Sequence, residues 1–161
     1  MRPSRDQWAM SLAGLTALRS TCLRRQVGAV LVNTMGHVVA TGYNGVAAGM
    51  PHCNEPTGMQ DDPESNTRSL VYRNACPGAA SPSGTNLDGC QAIHAEQNAL
   101  LQCRDVYSIH TCYVTTSPCI TCTKLLLNTG CGRICFLEQY PHPEAGALWR
   151  SAGRIWHQLN P

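Results

Sequence analysis

Apolar and polar positions along this 161-residue chain follow two rhythms, and each change of rhythm marks an element. Trp8, Leu12, Leu15 and Arg19 recur at helical spacing. Ser4 and Gln7 form a capping box just ahead of them, which predicts an amphipathic first helix. The unbroken run from Val27 to Val32 predicts a buried strand. The turn Asn33-Thr34-Met35-Gly36 and the return from His37 to Gly42 make it a hairpin. Thr111–Thr115 and Arg133–Leu137 read as two further strands. They alternate with a helix over 97–102 and a second opening at Pro118, capped by Ser117 and stopped by Gly130. A helix over about 143–150, then Gly153 and a short Ile155-Trp156-His157 strand, complete the pattern. Strand–helix–strand–helix–strand order calls for right-handed parallel crossovers beside the hairpin. The expected fold class is α/β: a single-domain, three-layer α/β/α sandwich with a mixed sheet of about five strands.

Residues 46–90 break both rhythms and hold five of the ten prolines and five of the 14 glycines. A loop of that length inside a compact domain is usually functional or tied down. Cys53, Cys76 and Cys90 fall within it, and Cys22 precedes the first strand. Four thiolates could close a second, structural zinc site and anchor the insertion; the alternative is that they are free or buried thiols. Cys103, Cys112, Cys131 and Cys135 lie in regular elements and read as small core residues. Ten cysteines in an intracellular-looking chain point to metal chemistry before disulfides, and a cytoplasmic protein is expected. Met1-Arg2-Pro3-Ser4-Arg5 and the apolar stretch after it imitate a signal peptide. Asp6 and Gln7 interrupt it, however, and no clean cleavage site follows. No segment approaches the length of a membrane span. Net charge is +2, charged residues are 14% of the chain, and Lys124 is the sole lysine beside 11 arginines. Without a basic run, a polynucleotide partner is disfavoured, whereas a few arginines suffice for a small phosphorylated substrate.

The chemistry concentrates in His94-Ala95-Glu96 and, after 21 intervening residues, Pro118-Cys119-Ile120-Thr121-Cys122. Imidazole and thiolate are what Zn2+ prefers, and a catalytic zinc keeps three protein ligands and one open position. Cys119 and Cys122, at i and i+3, place both sulfurs on one face of a helix, at the end whose free N–H groups stabilise thiolates. His94 and Glu96 diverge in mid-helix, so their joint use makes sense only where a helix begins. Two helix N-termini then converge on one cation, with Glu96 beside the open position instead of on the metal. A lone Cys-x2-Cys is more often a structural zinc or a redox pair; only the joint pattern is specific. That joint pattern resembles the signature of the zinc nucleobase deaminases.

Nearly the whole chain resembles the deoxycytidylate deaminases of the cytidine/deoxycytidylate deaminase superfamily. The likeness rests on Arg19-Ser20-Thr21-Cys22, Gln26-Val27-Gly28-Ala29-Val30, Thr41-Gly42-Tyr43-Asn44-Gly45, His94 through Ala99, and Thr116 through Cys122. It implies a cytidine-deaminase-like fold and a hydrolase that converts dCMP to dUMP with release of ammonia, supplying thymidylate synthesis. His94, Cys119 and Cys122 match the zinc ligands, and Glu96 the proton shuttle. Asn44 matches a sugar contact, Tyr140 an aromatic near the base, and Arg104 an arginine able to meet a phosphate. Ala95, Ser117 and Pro118 fall in the matched motifs and join that substrate-binding set. The resemblance also implies a homo-oligomer, commonly a hexamer, activated by dCTP and inhibited by dTTP with Mg2+. Val27, Gly28, Gly42, Asn44 and Gly45 are candidates for the effector site. Gln26 departs from the lysine or arginine usual before Val27-Gly28, with Arg24 and Arg25 just upstream.

Other readings stand beside these. Asn44 suits a tight turn because Asn and Gly favour positive φ. Arg104 could be a solvated helix end, and Tyr140 a core residue. His37, His110, His142 and His157 have no partner at metal spacing. At the level of function the alternatives are a deaminase acting on dCTP as well as dCMP, a tRNA or free-base deaminase, and a zinc-stabilised nucleotide-binding module without catalysis.

Overall fold

In the computed structural model, which describes residues 1–72 and 75–160, the chain opens with helix α1 (Arg5–Ala17). Ser4 Oγ accepts the Gln7 N–H at 3.1 Å while Gln7 Oε1 accepts the Ser4 N–H at 2.9 Å, so the capping box is formed. Strands β1 (Gly28–Asn33) and β2 (Val38–Tyr43) follow as an antiparallel hairpin, one residue later than the sequence pattern indicates. Helix α2 (Ala95–Gln102), β5 (Ile109–Thr116), α3 (Ile120–Leu127), β6 (Arg133–Glu138), α4 (Glu144–Ser151) and β7 (Ile155–Gln158) complete the main body. The sheet runs β2-β1-β5-β6-β7; β1 is antiparallel to β5, and β5, β6 and β7 are parallel. The expected mixed five-stranded sheet between helical layers is therefore the observed one.

Alternation along β1 assigns the two faces. Val30 and Val32 pack with Tyr113 and Cys135 under Ala9, Met10 and Ala13 of α1. Ala29 and Leu31 point the other way, into the larger core with α2, Leu126 of α3 and Trp149 of α4. Cys112, Cys131 and Cys135 are fully buried, as their positions in the pattern suggest.

The first helix differs from its sequence reading. Trp8 and Leu15, on the stripe with helical spacing, are exposed, and the buried face is Ala9, Met10, Ala13 and Ala17. The reason is close approach. A Cβ on Gly28 would lie 2.1 Å from the Ala13 carbonyl oxygen, so α1 meets β1 backbone to backbone and only small side chains fit. Gly42 does the same on the opposite face, where a Cβ would lie 2.2 Å from the Ala95 oxygen of α2. The 46–90 insertion also contains more order than its composition suggests: β3 (Gly58–Asp62) and β4 (Thr67–Val71) form a separate antiparallel hairpin. Its alternation is hidden because both of its faces are solvent-exposed, so no hydrophobic period is needed.

Candidate active site

The C-terminal ends of β2, β5 and β6 and the segment leading into β1 meet at one edge of the sheet, where α2 and α3 both begin. An open cavity lies there. His94 caps α2, and its N–H donates to Gln97 Oε1 at 2.8 Å. Just upstream, Ile93 and Gly45 exchange two backbone hydrogen bonds, of 2.8 and 3.1 Å, which hang the start of α2 on the end of β2. Cys119 itself caps α3, two residues later than the Ser117 cap read from the sequence, and its Sγ accepts the Cys122 N–H at 3.5 Å. Ser117 is used elsewhere: buried, it accepts the Tyr140 N–H at 2.7 Å and pins the chain after β6 to the chain after β5.

His94 Nδ1 is 3.5 Å from Cys119 Sγ and 3.4 Å from Cys122 Sγ, and all three donor atoms lie within 4.8 Å of one another. A hydrogen bond from the Cys122 thiol, with help from His94, holds the Cys119 thiol down to about 4, while the same contact and burial drive Cys122 far up. Two sulfurs this close share one proton unless a cation offsets both charges. One imidazole, a thiolate and an adjacent thiol are the donor set Zn2+ takes, and these residues fit it. His94 is pushed up chiefly by its contact with Cys119. Glu96 is only 3% exposed, and burial raises its carboxyl to about 7.

The cavity is also lined by Asn44, Ala95, Ser117, Tyr140 and Val27, all singled out in the sequence, and Pro118 is fully buried beside them. Asn44 spends its polar atoms on the protein: Oδ1 accepts from Ser20 Oγ at 2.7 Å and from the Val27 N–H at 2.8 Å, and Nδ2 donates to the Arg25 carbonyl at 2.8 Å. Arg104 lies past the far end of α2 and does not line the cavity. A helix of eight residues is about 12 Å long, so an arginine at its C-terminus faces away from a site at its N-terminus. Gly28 and Gly42 are each closed over by a helix and present no free surface to an effector.

The cations lining the cavity besides His94 are Arg24 and Arg25, beside the departure at Gln26. Arg24 NH1 donates to the Gly78 and Thr85 carbonyls, at 3.0 and 2.9 Å, and staples the insertion to the cavity wall. Arg25 NH1 reaches Thr116 Oγ1 and Glu138 Oε2, both at 3.3 Å. Ser83 and Leu87 of the insertion and Ala92 just after it complete that wall, and no sequence signal picks them out because this stretch has no period to read. Cys22 and Cys90 line the same cavity. Cys76 N–H lies 3.5 Å from Cys53 Sγ, and the Cys76 thiol contacts those of Cys53 and Cys90. No three of these four sulfurs come within the span of the His94 cluster, which alone does so among the described residues. None of the ten cysteines is in a disulfide.

The profile of the cytidine and deoxycytidylate deaminase zinc-binding region matches residues 3–138. This chain belongs to that family. It is 36% identical over 142 residues to the deoxycytidylate deaminase of Saccharomyces cerevisiae, covering 87% of this chain and 39% of that protein. It is 36% identical over 139 residues to the deoxycytidylate deaminase of Mycobacterium phage D29, covering 86% of this chain and 98% of that protein. The chain spans less than half the length of the yeast relatives it matches. A crystal structure of dCMP deaminase from the cyanophage S-TIM5, in complex with dCMP and dUMP, shares the fold with a TM-score of 0.70 at 22% identity, covering 99% of each chain. Among the described residues, no helix is long and apolar enough to cross a membrane.

Proposed function

We propose that this deaminase-family chain hydrolyses dCMP to dUMP and ammonia, with His94, Cys119 and Cys122 holding Zn2+ and Glu96 moving the protons. The observation that carries the reading is a nearly buried carboxyl beside a three-donor cluster, at the bottom of a cavity whose wall holds two arginines. Zinc, when bound, supplies an activated water at neutral pH. Glu96 takes a proton at its carboxylate, delivers it to N3 of the cytosine ring, and then serves the departing amine at C4. A carboxyl that must act as base and then as acid works best near the operating pH, where burial has put this one. Tyr140 and the Ala95 backbone confine the base, and Arg24 and Arg25 supply positive charge for the phosphate. Relatives named deoxycytidylate deaminase, one of them matched over nearly its full length, support this substrate over adenine or guanine.

Three parts of the proposal extend further. The resemblance supports regulation by dCTP and by dTTP with Mg2+ in a homo-oligomer, a hexamer in the family pattern. The pairing of Cys53 with Cys76 and of Cys76 with Cys90 supports a second zinc, provided Cys22 draws in to complete four sulfurs. Two zinc ions per chain by elemental analysis would bear that out, and a single ion would end it. The activity itself is tested by ammonia release from dCMP, dCTP, cytidine, adenosine and guanine, with and without dCTP or dTTP as effectors. Turnover of dCMP at least tenfold above the rest, by kcat/KM, is the expected result; preference for a purine would sink the assignment.

A further inference from the structure

Residues 20–27 contain no helix or strand, yet Cys22, Arg24, Arg25 and Val27 of this arch line the cavity. The arch is held from within. Ser20, 2% exposed, donates its hydroxyl to Asn44 Oδ1 at 2.7 Å, and its Oγ accepts the Cys22 N–H at 3.3 Å. Asn44 Oδ1 also accepts the Val27 N–H, and Asn44 Nδ2 donates to the Arg25 carbonyl. The exposed Gln26 folds back, its Nε2 donating to the Ser20 carbonyl at 3.0 Å. Both acceptor positions of Asn44 Oδ1 are therefore filled by the arch, and one of its two amide hydrogens is spent there as well. Asn44 thus joins Ser20, the Arg25 carbonyl and the Val27 N–H in one network.

We propose that Ser20 and Asn44 form a clamp that sets the preference for a phosphorylated substrate by holding Arg24 and Arg25 over the cavity. This rests on the nucleotide reading above. Ser20 is a positioning residue: it anchors the arch from a buried place that does not line the cavity, and its effect reaches substrate only through the two arginines. Each guanidinium commits only its NH1 to the protein among the described residues, leaving NH2 and Nε free for an anion. An arch without its clamp would have to be ordered at the moment of binding, and that ordering cost falls on the phosphate contact alone.

The test compares zinc-loaded wild type with Ser20→Ala and Gln26→Ala. Losing the two hydrogen bonds of the Ser20 hydroxyl predicts a KM for dCMP about tenfold higher in Ser20→Ala, with kcat within about twofold. Gln26→Ala, at an exposed position that does not threaten folding, shifts KM in the same direction by about twofold. Calorimetry provides a readout without turnover: dUMP binding weakens in Ser20→Ala by the same factor, while deoxyuridine binding is unchanged. In an Arg24→Met/Arg25→Met background the Ser20→Ala penalty disappears, because its route to the phosphate is gone. Equal weakening of dUMP and deoxyuridine would overturn the clamp and leave the deaminase reading intact. So would a full Ser20→Ala penalty surviving without the arginines, or a wild type that binds dUMP no better than deoxyuridine. A wild type that leaves dCMP unchanged would instead overturn the activity, and the binding comparison would still judge the clamp.

Discussion

Glu96 lies two residues past His94, and its carboxyl, raised to about 7 by burial, divides itself between acid and base at neutral pH. A neighbouring dication would pull it back down, which favours the base form before substrate arrives. Glu96→Gln keeps the shape and removes the proton. It is expected to retain zinc by elemental analysis and to lose at least about a hundredfold in kcat. Near-normal turnover would take Glu96 out of the chemistry. His94, Glu96, Cys119 and Cys122 stood out in the sequence because each pair is set by local helix geometry: i and i+3 for the two sulfurs, and a helix start for the His94 donor and the neighbouring Glu96 carboxyl. Asn44 was read as a turn residue and, through the resemblance, as a sugar contact, but not as the holder of the chain before β1. Its partners Ser20, Arg25 and Val27 come from across the β1–β2 hairpin, and no local period encodes them.

At the scale of elements, two glycines decide how close the helices come. Gly28→Ala and Gly42→Ala each force a methyl group into backbone, at 2.1 Å from Ala13 O and 2.2 Å from Ala95 O. Each is expected to cost about 1–3 kcal/mol in urea denaturation, the range for overpacking. They differ in what moves. Gly42 bears on α2, which begins at His94, so Gly42→Ala also weakens zinc retention against a chelator; Gly28 bears on α1, and Gly28→Ala leaves retention unchanged. Equal zinc loss in both would mean that the metal cluster does not depend on the seating of α2. The same contacts explain why α1 was misread by its Trp8, Leu12, Leu15 stripe. Hydrophobic spacing reports which side chains are large, whereas this helix buries its small ones. The central strands β1, β5 and β6, by contrast, were legible to within about two residues, because burial on both faces leaves a nearly unbroken apolar run. The β3–β4 hairpin escaped notice for the opposite reason, having no buried face at all.

Across the whole molecule, α1 is fastened to the middle of the sheet by one charged contact. Arg133 NH1 and NH2 grip Asp6 at 2.8 and 2.7 Å, and Tyr113 OH donates to the same carboxylate at 2.6 Å. The Arg133 guanidinium, before the Tyr113 hydroxyl, holds the Asp6 carboxyl down at about 2 against an ordinary 3.8. A carboxyl depressed on folding stabilises fully above its unfolded value, and the effect fades as pH falls through the folded one. Asp6→Asn is therefore expected to lose about 2 kcal/mol at pH 7, with the gap to wild type narrowing below pH 4 and closing near pH 2. A gap independent of pH in denaturant melts would refute the assignment. The zinc donors make a different long-range link. His94 heads α2 and the two sulfurs open α3, with β5 running between the helices. All three donors meet only with β5 beside β1 and the two helix starts facing each other, so an ion held there is expected to tie the finished sheet together as well as the site.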